Sequence, residues 1–371
     1  MTLAEPPGGD RLRVLAWPGL GARPVNPYTW LLYTHLAHLG VRVQEFTIER
    51  ALRGGYDVFH VHWPEKALTA ASWTWRAAGA TAGVAIMAAA HAHGARVVWT
   101  AHNAYPHESR HPRLERWFWG AFVRRVDAVI HPSTAGQHVV ESRFPALAAR
   151  PHAVVPIGHF RGTYPDTISR DGARASLGIP NGARVMAFLG LVRPYKNVPH
   201  LVRTVRLLLS SGSDVVLLVA GVPHTPALAE EVRAAAGGDP RVRLTLEHVP
   251  EEEVQRYFRA ADLVVLPFKD ITNSASALLA LSFDRPILVP ARGAMAELRA
   301  LVGRDWVYTY EEELTPAVLA DALDWAVKRP TGPFPRLEAL EWPLIARQTL
   351  SVYLARGREL YEREDRRAGS G

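Results

Sequence analysis

The chain has 371 residues, of which 48% are hydrophobic, a net charge of +7 and no cysteine. This length suffices for two domains with separate cores, and the lack of cysteine excludes disulfides and thiolate chemistry. The first residues show no secretory signal, and the longest apolar stretch, 77–90, is too short and too rich in alanine and glycine to cross a bilayer. We therefore expect a cytoplasmic protein.

Short apolar runs alternate with longer amphipathic segments through the first half of the chain. Such alternation is typical of an α/β fold with a doubly wound parallel sheet. The predicted strands cover 13–17, 41–46, 57–62, 95–102, 127–133 and 152–159, and the predicted helices cover 27–39, 72–92, 113–125 and 134–142.

The alternation pauses over residues 160–180, which are rich in proline and glycine and predict a linker leading into a short helix. It then restarts. Predicted strands cover 184–192, 215–221, 242–249, 262–268 and 286–290, and predicted helices cover 197–210, 226–236, 251–260 and 275–283. We expect one domain over 1–165, a second over 166–343, and a C-terminal segment 344–371 whose helix packs back on the first domain and whose tail is disordered.

The positive charge is concentrated in the first half. Residues 1–165 contain 17 Lys and Arg against 10 Asp and Glu, whereas the charges of the remainder cancel. An anionic partner of the first half is therefore expected. One interpretation is nucleic acid, although no nucleic-acid motif accompanies the charge. The other is an anionic membrane surface or a phosphorylated lipid.

Two cations follow a buried run in the second half. Arg193 and Lys196 come directly after the predicted strand 184–192 and before the next predicted helix. Ligands of open parallel sheets bind beyond the carboxyl ends of the strands. Two cations beside a helix N-terminus are suited to a diphosphate, whereas the alternative is a solvated cationic turn.

A second candidate anion site follows the predicted strand 262–268. Asn273, Ser274 and Ser276 are residue types that cap helices, and an apolar helical run follows at once. Small side chains also let a phosphate approach the backbone amides. Alone this pattern equally predicts a capped helix without a ligand, but together with Arg193 and Lys196 it favours a nucleotide diphosphate.

The second half resembles the donor domain of GT-B glycosyltransferases, family 4 in particular. The resemblance covers roughly residues 150–360. It implies the GT-B architecture, with two doubly wound Rossmann-like domains facing across a cleft, and a nucleotide-sugar donor held by the second domain. The matching segments are GLVRPYK (190–196), VPEEEVQRYFRAADLVVLP (249–267), LLALSFDRPI (278–287), GAMAE (293–297) and WPLIARQTLSVY (342–353).

The chain departs from the family at one pair of positions. The family's paired glutamates, which contact the ribose and the transferred sugar, correspond here to Ile271 and Leu279. Neither side chain can accept a hydrogen bond, so the sugar and the stereochemical outcome stay open. Glu297 is a candidate for one missing donor contact, and a surface helix charge is the alternative.

A polar loop follows the predicted strand 95–102. His102 and Asn103 lie where family members place a histidine near the transferred sugar, and His107 and Glu108 follow. A histidine or carboxylate there can deprotonate an acceptor hydroxyl. We therefore take His102 and Glu108 as catalytic candidates and Asn103 and His107 as acceptor-binding candidates.

Two further loops of the first half follow predicted strands. His62, Trp63 and Glu65 could form the floor of an acceptor pocket, because aromatic rings stack on sugars and carboxylates bind hydroxyl groups. Gly19 and Gly21 follow the first predicted strand and would let the backbone approach the donor phosphates, although a Gly-x-Gly pattern alone is weak evidence.

Segment 113–125 is both aromatic and basic. Together with Trp73, Trp75 and Arg76 it could form a membrane-facing patch, with rings at the interface and cations at the headgroups. An ordinary core helix with a solvated basic face is the alternative.

The sequence thus predicts a glycosyltransferase that moves a sugar from a nucleotide-diphosphate sugar to a hydroxyl of a glycolipid or polysaccharide precursor. We expect neither a metal nor a cofactor, and peripheral contact with the inner face of the membrane rather than with nucleic acid. Alternatives are a catalytically silent nucleotide-sugar binder, motivated by Ile271 and Leu279, a nucleic-acid binder, and a nucleotide-sugar epimerase of the same fold.

Overall fold

The computed structural model describes residues 11–23, 26–70, 72–103, 111–269, 271, 273–329 and 334–355. The chain divides into two compact units, Met1–Gly158 with Leu340–Gly371, and His159–Ala339. The first unit therefore ends before residue 165, where the sequence suggested the boundary. The expected disordered tail and the candidates His107 and Glu108 lie outside the described residues.

The first unit is built on a six-stranded sheet in which every pair of neighbouring strands is parallel. Its strand order is β2-β1-β3-β4-β5-β6, so the order reverses direction between β1 and β3. The strands are β1 Arg13–Trp17, β2 Arg42–Glu45, β3 Val58–Val61, β4 Arg96–Thr100, β5 Ala128–His131 and β6 His152–Val154, and the helices are α1 Pro27–His38, α2 Ile48–Arg53, α3 Trp73–Ala92, α4 Pro112–Val123 and α5 Thr134–Arg143.

Local sequence signals explain where these helices begin. Asn26 accepts a hydrogen bond from the amide of Tyr28 and Pro27 follows it, as expected at a helix start. Ser72 and Ser133 cap α3 and α5 in the same way. The core beneath the helices is aromatic, with the ring of Trp99 edge-on to Phe122 at 5.3 Å.

The second unit contains a second six-stranded parallel sheet, with the order β12-β11-β10-β7-β8-β9. Here the order reverses between β7 and β10. The strands are β7 Arg184–Leu189, β8 Val215–Ala220, β9 Val242–Thr245, β10 Leu263–Val265, β11 Ile287–Pro290 and β12 Val307–Tyr310, and the helices are α6 Arg170–Ser176, α7 Val198–Ser210, α8 Pro226–Ala236, α9 Val254–Ala260, α10 Ala275–Ser282, α11 Met295–Val302 and α12 Pro316–Lys328.

A buried ion pair ties α6 to this sheet. The Arg174 side chain is fully buried and donates to both carboxylate oxygens of Asp262, at 3.0 and 2.9 Å. Asp262 also accepts from the amide of Val185 at 2.8 Å. The pair therefore links the short helix after the linker to the amino ends of β7 and β10.

The last described helix, α13 (Trp342–Leu354), packs on α1 of the first unit. A Cβ atom on Gly158 would lie 2.4 Å from the ring of Trp342, so glycine is required for this close approach. At the other end of α13, Tyr353 is buried and its hydroxyl lies 2.7 Å from His60 Nδ1. These contacts tie residues up to Gly158 and the C-terminal helix to one unit.

The two doubly wound parallel sheets predicted from the sequence are confirmed. The predicted strands 152–159 and 242–249 are shorter in the structure, where they end at Val154 and Thr245. Proline follows soon after in both segments, at Pro156 and Pro250, and it cannot donate a ladder hydrogen bond. Strand β12 and helices α11 and α12 were not predicted, and neither was helix α2. It is six residues long and mostly exposed, so it lacks a helical repeat of apolar residues. No helix of the described residues is long and apolar enough to cross a membrane.

Candidate functional site

The predicted anion-binding residues of the second unit meet where its strand order reverses. The loop after β7 carries Arg193 and Lys196, and the loop after β10 leads to Asn273, Ser274 and Ser276. Ligands of open α/β sheets bind at the carboxyl ends of the strands that flank such a reversal. The Lys196 ammonium lies 3.2 Å from Ser276 Oγ, so the two loops are in direct contact.

Lys196 is a buried cation, with 7% of the residue exposed. Its ammonium lies over the rings of Phe188 and Phe268, at 5.7 and 5.8 Å from their centroids. Among the described residues no carboxylate forms an ion pair with it. Burial, together with the charge of Arg193, lowers the pKa of Lys196 to about 8. A buried ammonium without a counterion is costly, and an anionic ligand would supply that counterion.

Two glycines bring the backbone close to this lysine. Gly190 has a φ of 136°, and a Cβ atom on it would lie 3.2 Å from the Lys196 ammonium and 3.4 Å from Ser276 Oγ. Gly221, at φ 134°, abuts Gly190 so closely that a Cβ would lie 2.1 Å from the Gly190 carbonyl oxygen. Both positions require glycine, which leaves the space beside Lys196 open.

The start of α10 completes the group. Ser274 caps the helix and accepts a hydrogen bond from the Ala277 amide at 3.0 Å. Asn273 Nδ2 is buried and has no hydrogen-bond partner among the described residues. Because a buried amide group is normally paired, this nitrogen is a candidate donor to an anionic ligand.

Other donor candidates lie at the same edge of the sheet. Arg193 is half-buried and its carbonyl accepts from the Lys196 amide at 2.9 Å. Glu297 is half-buried in the first turn of α11, after β11. Ile271 and Leu279 are half-buried as well. The second unit therefore offers cations, small polar groups and backbone space to an anion.

The glycine loop of the first unit already holds a carboxylate. The amides of Gly19 and Gly21 donate to the two oxygens of Glu45, each at 2.9 Å. A Cβ on Gly19 would lie 2.8 Å from a Glu45 oxygen. The amides of this loop therefore bind a carboxylate of the same unit, and an approach of the loop to the donor phosphates stays a prediction.

Three histidines meet at the carboxyl ends of β3 and β4. His62 Nδ1 lies 3.2 Å from His102 Nε2, and Tyr33 Oη lies 2.7 Å from His62 Nε2 and 2.9 Å from His60 Nδ1. His60 Nε2 in turn lies 2.7 Å from Thr100 Oγ1. With Tyr353 of α13, these groups form a continuous chain of hydrogen bonds.

This cluster is kept uncharged. Burial lowers the pKa of His60 and of His102 to about 3, and that of His62 well below its usual range. Burial also raises the pKa values of Tyr33 and Tyr353 well above their usual range. Among the described residues, no group of three or more His, Asp or Glu side chains has the geometry to hold a metal ion.

The remaining acceptor candidates surround this cluster. The ring of Trp63 stacks on His102, with centroids 4.7 Å apart, and the ammonium of Lys66 lies 5.1 Å from the Trp63 ring centroid. Glu65 lies in the turn Pro64–Leu68 and forms a side-chain hydrogen bond with Asn103. Burial raises the pKa of Glu65 to about 7. The structure thus brings His62, His102, Asn103 and Glu65 together.

Some members of these sites were not identified from the sequence. They are Tyr33, His60 and Tyr353 in the histidine cluster, and Glu45 at the glycine loop. One signal was present: His60 and His62 alternate in the strand DVFHVH and therefore point to the same face of the sheet. The contact with Tyr353 joins residues far apart in the chain, and no local pattern predicts it.

Comparison with known proteins agrees with this arrangement. Residues 183–328 match the family model of glycosyl transferases group 1. Over 329 residues the chain is 32% identical to a GDP-mannose:glycolipid 4-beta-D-mannosyltransferase of Xanthomonas campestris pv. campestris, covering 89% of this chain and 88% of the relative. A D-inositol 3-phosphate glycosyltransferase of Nocardioides is 29% identical over 57% of this chain and 49% of the relative.

The fold has counterparts among solved structures. A sucrose-phosphate synthase of Thermosynechococcus elongatus aligns with a TM-score of 0.69 at 16% identity, over 95% of this chain and all of that one. Anabaena HepE in complex with UDP and glucose aligns with a TM-score of 0.63 at 14% identity, over 95% of this chain and 99% of that one. The chain belongs to the group 1 glycosyltransferases with the GT-B fold, enzymes that transfer a sugar from a nucleotide-sugar donor.

Proposed function

We propose that this enzyme transfers mannose from GDP-mannose to a hydroxyl group of a glycolipid. The observation that carries the proposal is the 32% identity to a GDP-mannose:glycolipid mannosyltransferase along nearly the whole of both chains. The buried Lys196 and the start of α10 support the donor part, because both suit a diphosphate. Since GDP-mannose carries an α-linked sugar, a β-linked product like that of the relative would require inversion at C1.

In this proposal the second unit binds the donor. Lys196 and Arg193 would neutralise the diphosphate, Ser274, Ser276 and Asn273 would bind its oxygens, and residues of the first unit would bind the acceptor. The absence of the family's glutamate pair at Ile271 and Leu279 fits an outcome other than the family's usual retention of configuration.

A nucleotide panel tests the donor. We expect GDP and GDP-mannose to raise the melting temperature of the protein more than UDP or ADP at equal concentration, because only a ligand bound to the native state stabilises it. Release of GDP from GDP-mannose, followed by chromatography, then separates an enzyme from a silent binding protein. Greater stabilisation by UDP or ADP would contradict the GDP assignment.

We further propose that the first unit contacts the membrane that carries the acceptor. Trp73, Trp75 and Trp117 are 58%, 73% and 46% exposed, and Arg113 and Arg116 are exposed on α4. Helices α3 and α4 pack together, with Gly83 against the Phe118 ring. Exposed tryptophans beside cations are typical of proteins that bind an anionic lipid surface.

Two residues of the predicted membrane-facing patch are not on the surface. Arg76 is buried and donates to the Ala70 carbonyl at 2.6 Å, and Phe118 belongs to the core. The members of the predicted patch that stay exposed to lipid are therefore the three tryptophans and the arginines Arg113 and Arg116 of α4.

Vesicle binding tests this surface. In co-sedimentation with vesicles containing phosphatidylglycerol, we expect the triple variant W73S/W75S/W117S to lose about tenfold or more of its partitioning, since each buried aromatic ring contributes apolar area. Leu207→Ser on α7, where Leu207 is 62% exposed, is the matched control and should bind like the wild type. Equal binding of the triple variant would refute the proposal.

A further inference from the structure

The strand order of the first unit marks a ligand position near Glu65. The order β2-β1-β3-β4-β5-β6 reverses between β1 and β3, and a crevice for a ligand opens beyond the carboxyl ends of the strands at such a reversal. The turn Pro64–Leu68 begins there, directly after His62 and Trp63. Asn103, after the neighbouring strand β4, forms a side-chain hydrogen bond with Glu65.

The histidines at this edge are poor candidates for a base. His62 and His102 are 1% and 8% exposed. His62 Nδ1 lies 3.2 Å from His102 Nε2, and His62 Nε2 lies 2.7 Å from the Tyr33 hydroxyl. Burial lowers the pKa of His102 to about 3. An imidazole with such a low pKa is a weak base and has little tendency to take a proton from a sugar hydroxyl.

Among the described residues, Glu45 and Glu65 are the carboxylates near the carboxyl ends of β1 to β4, and Glu45 is already hydrogen-bonded. Glu45 accepts both glycine-loop amides, from Gly19 and Gly21, each at 2.9 Å. Glu65 is half-buried and has the Asn103 side chain as its partner. Glu65 is therefore the carboxylate that can turn to a substrate.

The surroundings of Glu65 set its proton affinity. Burial raises the pKa of Glu65 to about 7, against the opposing effects of backbone hydrogen bonding, Asn103 and the charge of Lys66. His62 and His102, which are neutral, are titratable side chains that follow β3 and β4 at their carboxyl ends. From α3, the Arg76 guanidinium is engaged by the Ala70 carbonyl. A carboxylate of this proton affinity suits a base that works near neutral pH.

We infer that Glu65 is the general base of the transfer reaction, and that Asn103 positions its carboxylate. This inference rests on the proposed function, and it assigns to Glu65 the role for which His102 and Glu108 were candidates. The acceptor hydroxyl gives its proton to Glu65 as its oxygen forms a bond to C1 of mannose. The bond between C1 and the diphosphate oxygen breaks, and its electron pair leaves with GDP.

The test measures GDP release from GDP-mannose, with octyl β-D-glucoside or water as the acceptor. We expect Glu65→Gln to lower kcat by about 10²- to 10⁴-fold while GDP still raises its melting temperature as in the wild type. In the wild type, kcat/KM should rise with pH up to about 7, because the base is active when deprotonated. Added formate should restore part of the rate to Glu65→Ala.

Two further variants separate a catalytic from a structural role. Asn103→Ala removes a hydrogen bond that lowers the Glu65 pKa, so the rising limb of its pH profile should move to higher pH. Glu49→Gln is the matched control, because Glu49 is an exposed carboxylate of α2 paired with Arg53, and its rate should equal that of the wild type.

The outcomes distinguish the inference from the function on which it rests. An active wild type with an equally active Glu65→Gln would overturn the assignment of Glu65 alone. An unmoved pH profile in Asn103→Ala would overturn the positioning role of Asn103. A wild type that binds no GDP and releases none from GDP-mannose would overturn the proposed function and the inference together.

Discussion

Replacing Lys196 by methionine is expected to weaken GDP binding by about 30-fold or more, or about 2 kcal/mol. The same change should raise the melting temperature of the ligand-free protein. Both effects have one cause: Lys196 is only 7% exposed, and its ammonium contacts Ser276 and two phenylalanine rings. Methionine fills similar space without a charge to desolvate.

The affinity for GDP should also depend on pH through this lysine. Burial lowers the pKa of Lys196 in the ligand-free protein to about 8, so the side chain is charged below that pH. Above about pH 8 it must take up a proton when GDP binds. Affinity is therefore expected to be constant below about pH 8 and to fall by about tenfold for each unit above it. Lys196→Met should lack this dependence.

Calorimetric titration with GDP between pH 7 and 9.5 measures both effects. Lys269→Met is the matched control, since Lys269 is an exposed cation in the loop after β10 and its loss should change affinity little. A Lys196→Met protein that binds GDP as well as the wild type would exclude the diphosphate assignment. A lower melting temperature of that variant would show that Lys196 serves the fold.

Replacing Asp262 by alanine should lower the free energy of unfolding of the second unit by about 3–5 kcal/mol, as is usual when one partner of a buried ion pair is removed. Arg174 would remain fully buried without its counterion, held by carbonyl groups such as those of Ala260 and Ala183. The amide of Val185 would lose its acceptor as well.

An exposed ion pair of the same unit provides the comparison for this effect. Glu230 and Arg233 pair on the surface of α8, where their side chains are 73% and 53% exposed. Glu230→Ala should cost less than about 1 kcal/mol, because solvent screens such a pair. Urea denaturation of the full chain, followed by circular dichroism, measures both variants. Equal midpoints would show that burial adds nothing to the Arg174–Asp262 pair.

Much of the candidate site in the second unit could be predicted from the sequence because its signals are local. The run before Gly190, the cations Arg193 and Lys196, and the cap residues before α10 each lie within one strand–loop–helix segment. Parallel strands place their carboxyl ends at one edge, so these loops had to meet. What the sequence could not reveal is that Lys196 is buried among Phe188, Phe268 and Ser276, with no ion pair to a carboxylate of the described residues.

The candidate site in the first unit was predicted less completely. His62, Trp63 and Glu65 were identified by their position after a strand, but their roles depend on neighbours from other elements. His60 contacts Tyr353 of α13, nearly three hundred residues away in the chain. Similarly, Gly19 and Gly21 have the backbone freedom that the sequence implied, while the occupant of their amides, Glu45, comes from β2.

The two α/β units, the loops that carry polar groups and the family could be read from the sequence, because strand and helix periodicity and motif spacing are properties of contiguous residues. The protonation states and the hydrogen-bond partners of the site residues follow instead from the tertiary structure. Burial acts on side chains brought together from distant segments, and it makes the histidines neutral, raises the pKa of Glu65 and lowers the pKa of Lys196.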